Sequence, residues 1–166
     1  MSLFKNSLVA LFSVIALLSI DGCCSCRDAA QNKDEVLFTQ PFEISLSTGG
    51  GVSGLVNGYI LSSDGSIKRF SKWPGKDREM EAAGSLDLRE LLAMKNEVDE
   101  KKLFELNIKD YGNMTTYLHV TDGNRSTVLN WTSDGSELES VPATLRSLIS
   151  KIQKVTSRFE VRKKDQ

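Results

Sequence analysis

Two runs of alternating apolar and polar residues, Thr115 to Thr121 and Ser126 to Trp131, are separated only by Asp122-Gly123-Asn124. Alternation is the signature of a strand buried on one face, and Asp-Gly supplies the positive φ that a tight hairpin demands. Leu118, Val120, Leu129 and Trp131 then share a face. An antiparallel hairpin with one apolar face cannot stand alone in water. That is a core face, to be covered by the rest of the chain.

Phe42-Glu-Ile44-Ser-Leu46 alternates and runs into Gly49-Gly50-Gly51. Leu55 to Ser63 and Ser66 to Ser71 flank Asp64-Gly65, a second hairpin signal. In this hairpin Tyr59, Leu61 and Phe70 are placed on one side and Ile60 and Ile67 on the other, a mixture consistent with cover on both faces. A loop through Trp73-Pro74-Gly75 leads to a helix from about Leu88 to Lys101, with a stripe of Leu88, Leu91, Leu92 and Val98. Asp87 caps it while Glu90 reaches back. Leu103-Phe104-Glu-Leu106 brings the helix exit into the core. A closing helix, about Pro142 to Arg158, carries Leu145, Leu148, Ile149, Ile152, Val155 and Phe159 at helical spacing, with Pro142 suited to its first turn. The expected fold is a single α+β domain over residues 41–159, an antiparallel sheet of about five strands with two helices on one face in the order βββαββα.

The amino-terminal segment does not belong to that domain. Lys5 precedes an apolar run from Leu8 to Ile20, about 13 residues against the roughly 20 that a spanning helix needs. A basic start, a short apolar middle and a small residue before the cut are the parts of a removable export signal. Ile20-Asp21-Gly22-Cys23 resembles the cleavage site of bacterial lipoproteins, in which the cysteine sulfur receives a diacylglyceryl group. That resemblance implies a signal peptide over residues 1–22, a lipid on Cys23 and a place in the bacterial cell envelope. Cys24 differs from the aspartate that resembles an inner-membrane retention signal, which favours the outer membrane in a cell with two. Residues 23–40 read as the lipidated cysteine and a polar tether, and residues 160–166 as a basic tail that continues from Arg158.

Signals for chemistry are sparse. No cysteine follows Cys26, so no disulfide staples the domain, and Cys23, Cys24 and Cys26 leave zinc a ligand short. Gly49-Gly50-Gly51-Val52-Ser53-Gly54 fits the letters of a dinucleotide fingerprint. That site needs a helix starting at the glycines, whereas a strand follows here, so a flexible or tightly bent connection is expected. His119, the single histidine, is placed mid-strand on the face opposite the core. The acidic residues from Glu79 to Glu100 fall mostly on a loop or a helix's polar face. A net charge of −1, unchanged by loss of the first 22 residues, offers no electrostatic footprint for nucleic acid. No cofactor, metal or catalytic group is expected.

Ser47-Thr-Gly-Gly-Gly-Val-Ser-Gly54, Leu86-Asp-Leu-Arg-Glu-Leu-Leu92, Leu103-Phe-Glu-Leu106, Tyr117-Leu-His-Val-Thr-Asp-Gly123, Val128-Leu-Asn-Trp131 and the closing Pro142 to Ile152 helix resemble the emfourin-like family of small bacterial proteins. Its founding type inhibits thermolysin-like metalloproteases. The resemblance covers residues 42–153 and implies a non-enzymatic protein-binding domain, possessing a longer Tyr59 to Phe70 hairpin and Trp73 loop than that family. Gly49, Gly50, Gly51, Gly54 and Trp73 are the expected binding residues, because loops on a rigid sheet are common recognition elements. The expected partners are the membrane, through the anchor, and a protease or envelope component. The alternatives are an assembly component of an envelope complex, contacting through Tyr59, Tyr117, His119 and Trp73, and an enzyme of unknown type.

Overall fold

A computed structural model describes residues 38–133 and 139–161 of the chain. The expected signal peptide, Cys23, Cys24, Cys26, the expected tether up to residue 37 and the expected tail from residue 162 lie outside the described residues. The described part is α+β, one antiparallel sheet carrying two α-helices. Its strands are β1 (Phe42–Gly50), β2 (Leu55–Ser62), β3 (Ser66–Lys72), β4 (Glu79–Ser85), β5 (Met114–Asp122) and β6 (Arg125–Thr132). The helices are α1 (Leu88–Glu100) and α2 (Arg146–Val161), and a 3-10 turn spans Leu103–Glu105. The spatial order is β4-β3-β2-β1-β5-β6, so β1 and β5 meet at the centre.

Register explains which face is apolar. Ile44 stands between Leu61 and Val120, and Leu46 between Tyr59 and Leu118, with Leu129 beyond Leu118 and Trp131 beside Thr116. Ile44, Leu61, Leu118, Val120, Leu129 and Trp131 are buried against Leu91, Met94 and Val98 of α1 and Leu148, Ile149, Ile152 and Val155 of α2. Each fully buried Leu or Ile contributes about 1.5–3 kcal/mol by leaving water. Both helices therefore cover one face, and the expected core of the Asp122-Gly123 hairpin is found. In that hairpin Gly123 alone has positive φ, 57°, at the first central position of a two-residue turn.

Four features depart from expectation. The sheet has six strands because Glu79-Met-Glu-Ala-Ala-Gly-Ser85 forms an edge strand. An exposed edge needs no apolar alternation and no β-branched residue, so its sequence carries no strand signal. It is irregular as an edge should be: a register shift leaves Ala83 extra between Ile67↔Gly84 and Lys68↔Ala82. The ring of Phe159 occupies the space where a Cβ at Gly84 would sit.

The first hairpin also sorts its residues differently. Its connection runs from Ser62 to Gly65, and Leu61 pairs with Ile67. Tyr59, Leu61 and Ile67 thus face the helices, whereas Ile60 and Phe70 face away. A one-residue change in register moves every side chain to the other face. Phe70 and Ile60 are nonetheless buried on the far side, Phe70 beneath the Arg78 guanidinium 4.2 Å from its ring centre.

In α1, Asp87 caps the amino terminus through a 2.8 Å bond from the Arg89 amide, but Glu90 does not reach back. It accepts two bonds from Arg158 of α2, at 3.0 and 2.9 Å, tying the helices together and using a cation assigned to the tail. Met94 joins the buried stripe. Finally, Pro142 opens a turn, with the Leu145 amide donating to its carbonyl at 2.8 Å, and α2 itself begins at Arg146.

The segment before β1 is part of the packed structure. Phe38 stacks on Phe42 with ring centres 5.9 Å apart, and the Gln40 amide donates to Asp122 at 2.8 Å. At the β6 edge, the Asn130 amide donates to Ile108 and its carbonyl accepts from Asp110, both at 3.0 Å, so the edge is occupied by the chain's own backbone.

Candidate functional site

The glycine segment is a tight bend. Gly50, Gly51 and Gly54 have φ of 126°, 65° and 62°, and the Gly51 amide donates to the Asn113 carbonyl at 2.6 Å. A Cβ at Gly50 would lie 2.2 Å from that carbonyl oxygen, and one at Gly49 would lie 2.5 Å from the Val56 side chain. Gly49 and Gly50 are therefore required by close backbone approach. Gly54 leads into β2, so no helix terminus faces the turn.

Three connections meet at this end of the sheet. The β1–β2 turn lies against the β3–β4 connection, where a Cβ at Gly54 would come within 2.7 Å of Pro74. On its other flank the turn meets the segment leading into β5, through Asn113 and through Met114, whose sulfur would sit 3.5 Å from a Gly51 Cβ. The Thr115 hydroxyl braces that segment, lying 3.2 Å from both the amide and the carbonyl of Gly112. The bend, the proline and the braced segment hold this end in one shape, so little ordering entropy remains to be lost on contact.

What this end presents is apolar. Val52 is fully exposed, and Trp73, Tyr111 and Met114 are 43%, 68% and 37% exposed. Four of the six large exposed hydrophobic residues among those described lie here. Trp73 and the glycines expected to form the site are thus brought together, with the glycines shaping the loop and Trp73 available for contact. Tyr111 and Met114 were missed by sequence reasoning. Their signal is weak: a tyrosine before Gly112-Asn113, and a methionine at the first position of a strand.

The other expected contact residues do not converge. Tyr59 faces the helices, whereas Tyr117 and His119 lie on the opposite face, in register with Ser47 and Ser45. His119 is 2.9 Å from the Ser126 hydroxyl. Placement of His119 away from the core agrees with the alternation of β5.

Charged clusters elsewhere hold the fold together. Asp122, 1% exposed, accepts from Gln40 and Arg125 and pairs with Lys95 at 3.2 Å. Burial opposes its charge, but the bonds from Gln40, Arg125 and Lys95 outweigh that and hold its carboxyl below the ordinary value. Glu97 of α1 is likewise held low: burial works against it, and bonds from Lys151 and Ser147 win. Among the described residues no three His, Cys, Asp or Glu side chains are grouped to hold a metal ion, and no helix is long and apolar enough to cross a membrane.

No protein-family model matches this chain, and no curated protein matches it.

Proposed function

We propose that the chain is a lipid-anchored bacterial envelope protein whose domain binds a protein partner through the loop end of its sheet. The observation that carries this reading is the gathering of Val52, Trp73, Tyr111 and Met114 on three mutually braced connections. Exposed aromatic residues on a rigid frame are the usual anchors of protein recognition. The resemblance to the emfourin-like family supplies the partner class, a thermolysin-like metalloprotease, and the mode, inhibition without catalysis by this chain. Titrating the full chain in mild detergent against such a protease should give saturable inhibition. Trp73→Ala and Tyr111→Ala should each weaken it about tenfold or more, since aromatic anchors are worth roughly 2 kcal/mol. Unchanged protease activity at high micromolar excess would remove the inhibitor reading.

The anchor is the other half of the proposal. Ile20-Asp21-Gly22-Cys23 supports cleavage before Cys23 and diacylglyceryl transfer to its sulfur. Two or more acyl chains make attachment effectively lasting, because each buried methylene adds about 0.8 kcal/mol. Intact-protein mass spectrometry from the native host should find an amino terminus at Cys23 carrying lipid, and Cys23→Ala should abolish the lipid mass. An unmodified Cys23 in the wild-type protein would overturn it.

A further inference from the structure

Between α2 and the sheet lies an open cavity of about 560 Å³ that neither the apolar core nor the loop end fills. Along β1 and β2 it lies beyond the apolar pair Leu46 and Tyr59 of the helix-facing side, where the next pair in register is Thr48 and Asn57. Thr48 shares a 3.0 Å hydroxyl contact with Thr116, so the sheet there is lined by polar side chains. The facing wall is α2, through Gln153, Thr156 and Ser157. Thr156, 7% exposed, turns its hydroxyl proton to the Gln153 carbonyl at 3.2 Å, which leaves its oxygen lone pairs and the Gln153 side chain as polar lining.

Arg69 is the single charged residue among those lining the cavity, which includes no carboxylate. The register places it opposite Tyr59, on the helix-facing side. Its ion pair with Glu81 on the edge strand is loose: Nη2 stands 3.9 Å from the carboxylate, with both side chains about half exposed. At that exposure the pair is worth little, so an incoming anion can displace it cheaply. A fork of guanidinium donors matches a carboxylate in a bidentate way, and the surrounding hydroxyls and amides suit the polar groups beside it.

We infer that this cavity is a receptor for a carboxylate carried on a peptide, either an acidic side chain or a chain terminus, with Arg69 as the charge partner and Thr48, Asn57, Tyr59 and Gln153 as its polar surround. The site stands independently of the loop end, although Thr48 and Asn57 are only two register positions from Gly50 and Leu55. One partner can reach both.

The test uses the full chain, isotope-labelled in detergent micelles, titrated with three probes followed by two-dimensional NMR: N-acetyl-glutamate α-amide, N-acetyl-glycine and the neutral N-acetyl-glutamine amide. The inference expects saturable shifts at Thr48, Asn57, Tyr59 and the Arg69 side chain with either carboxylate and none with the neutral probe. The first two probes separate an acidic side chain from a chain terminus. Arg69→Gln should abolish the response, Arg69→Lys should weaken it about tenfold, and Glu81→Gln should leave it intact or strengthen it. Trp73→Ala should leave the carboxylate response unchanged, which keeps this result separate from the fate of the loop reading. Absence of saturable shifts at these residues, an equal response to the neutral probe, or retained binding in a folded Arg69→Gln protein would each overturn the inference.

Discussion

Asp122→Ala is expected to lower the unfolding free energy at neutral pH by about 2–3 kcal/mol, measured by urea denaturation of the full chain. The carboxylate is buried and serves three donors at once: the Gln40 amide, the Arg125 guanidinium and the Lys95 ammonium. Removing it leaves Lys95, 20% exposed, with Asp99 alone at 2.8 Å, and frees the segment that carries Phe38. Breaking a buried pair costs about 3–5 kcal/mol, and the half exposure of Arg125 lowers that figure here. The same group sets a pH dependence. Asp122 and Glu97 both titrate below their unfolded values, which are about 4. Their contribution is therefore complete above that range and is lost as pH falls through the folded values. The wild-type protein should lose more stability than Asp122→Ala between pH 7 and pH 3. Equal stability of the two at pH 7, or parallel acid profiles, would show that the network contributes nothing.

Gly50→Ala carries the second large effect, about 3 kcal/mol. Its φ of 126° lies where side chains are strained by about 1–3 kcal/mol, and the new Cβ would meet the Asn113 carbonyl at 2.2 Å. Backbone cannot rotate aside as a flexible side chain can, so either the turn or the segment before β5 must move. Gly75 is the internal comparison. It also has positive φ, 71°, but no atom lies within 4 Å of its hypothetical Cβ. Gly75→Ala should cost only about 1 kcal/mol, the conformational part alone. Similar losses at both positions would mean that the close approach to Asn113 contributes nothing. Because Gly50 shapes the end bearing Val52 and Met114, its variant should also weaken any partner contact there.

The two hairpins show how differently sequence can speak. Leu118, Val120, Leu129 and Trp131 alternate cleanly, and a two-residue turn leaves one register in which they share a face. For Leu55 to Ser71 the alternation is mixed, and the longer Ser62–Gly65 connection moves Ile67 opposite Leu61. β4 was silent because an exposed edge strand buries almost nothing. Glu90, expected to reach back to the cap, does otherwise for a related reason: its own helix offered an amide, and only the path of α2 brings the charged Arg158 within reach.

The candidate site was half legible. Glycines at Gly49 to Gly51 and Gly54 mark a bend on any reading, because few residues tolerate such backbone. Trp73 beside Pro74 marks a loop. Nothing local says that the two connections touch, or that Tyr111 and Met114 join them, since those neighbours are about 20 to 60 residues apart in the chain.

By itself, then, the sequence determined the antiparallel α+β class, the core faces of β1, β5 and β6 and the buried stripe of α2. All of these follow from short-range periodicity and local chemistry. Tertiary structure alone decided the register of β2 against β3, the sixth strand, the Glu90–Arg158 tie, the gathering of the apolar loop end and the Arg69 cavity. Each of these arises from surfaces that meet only after β1 and β5 pair at the centre of the sheet, and no local pattern encodes where such surfaces will lie.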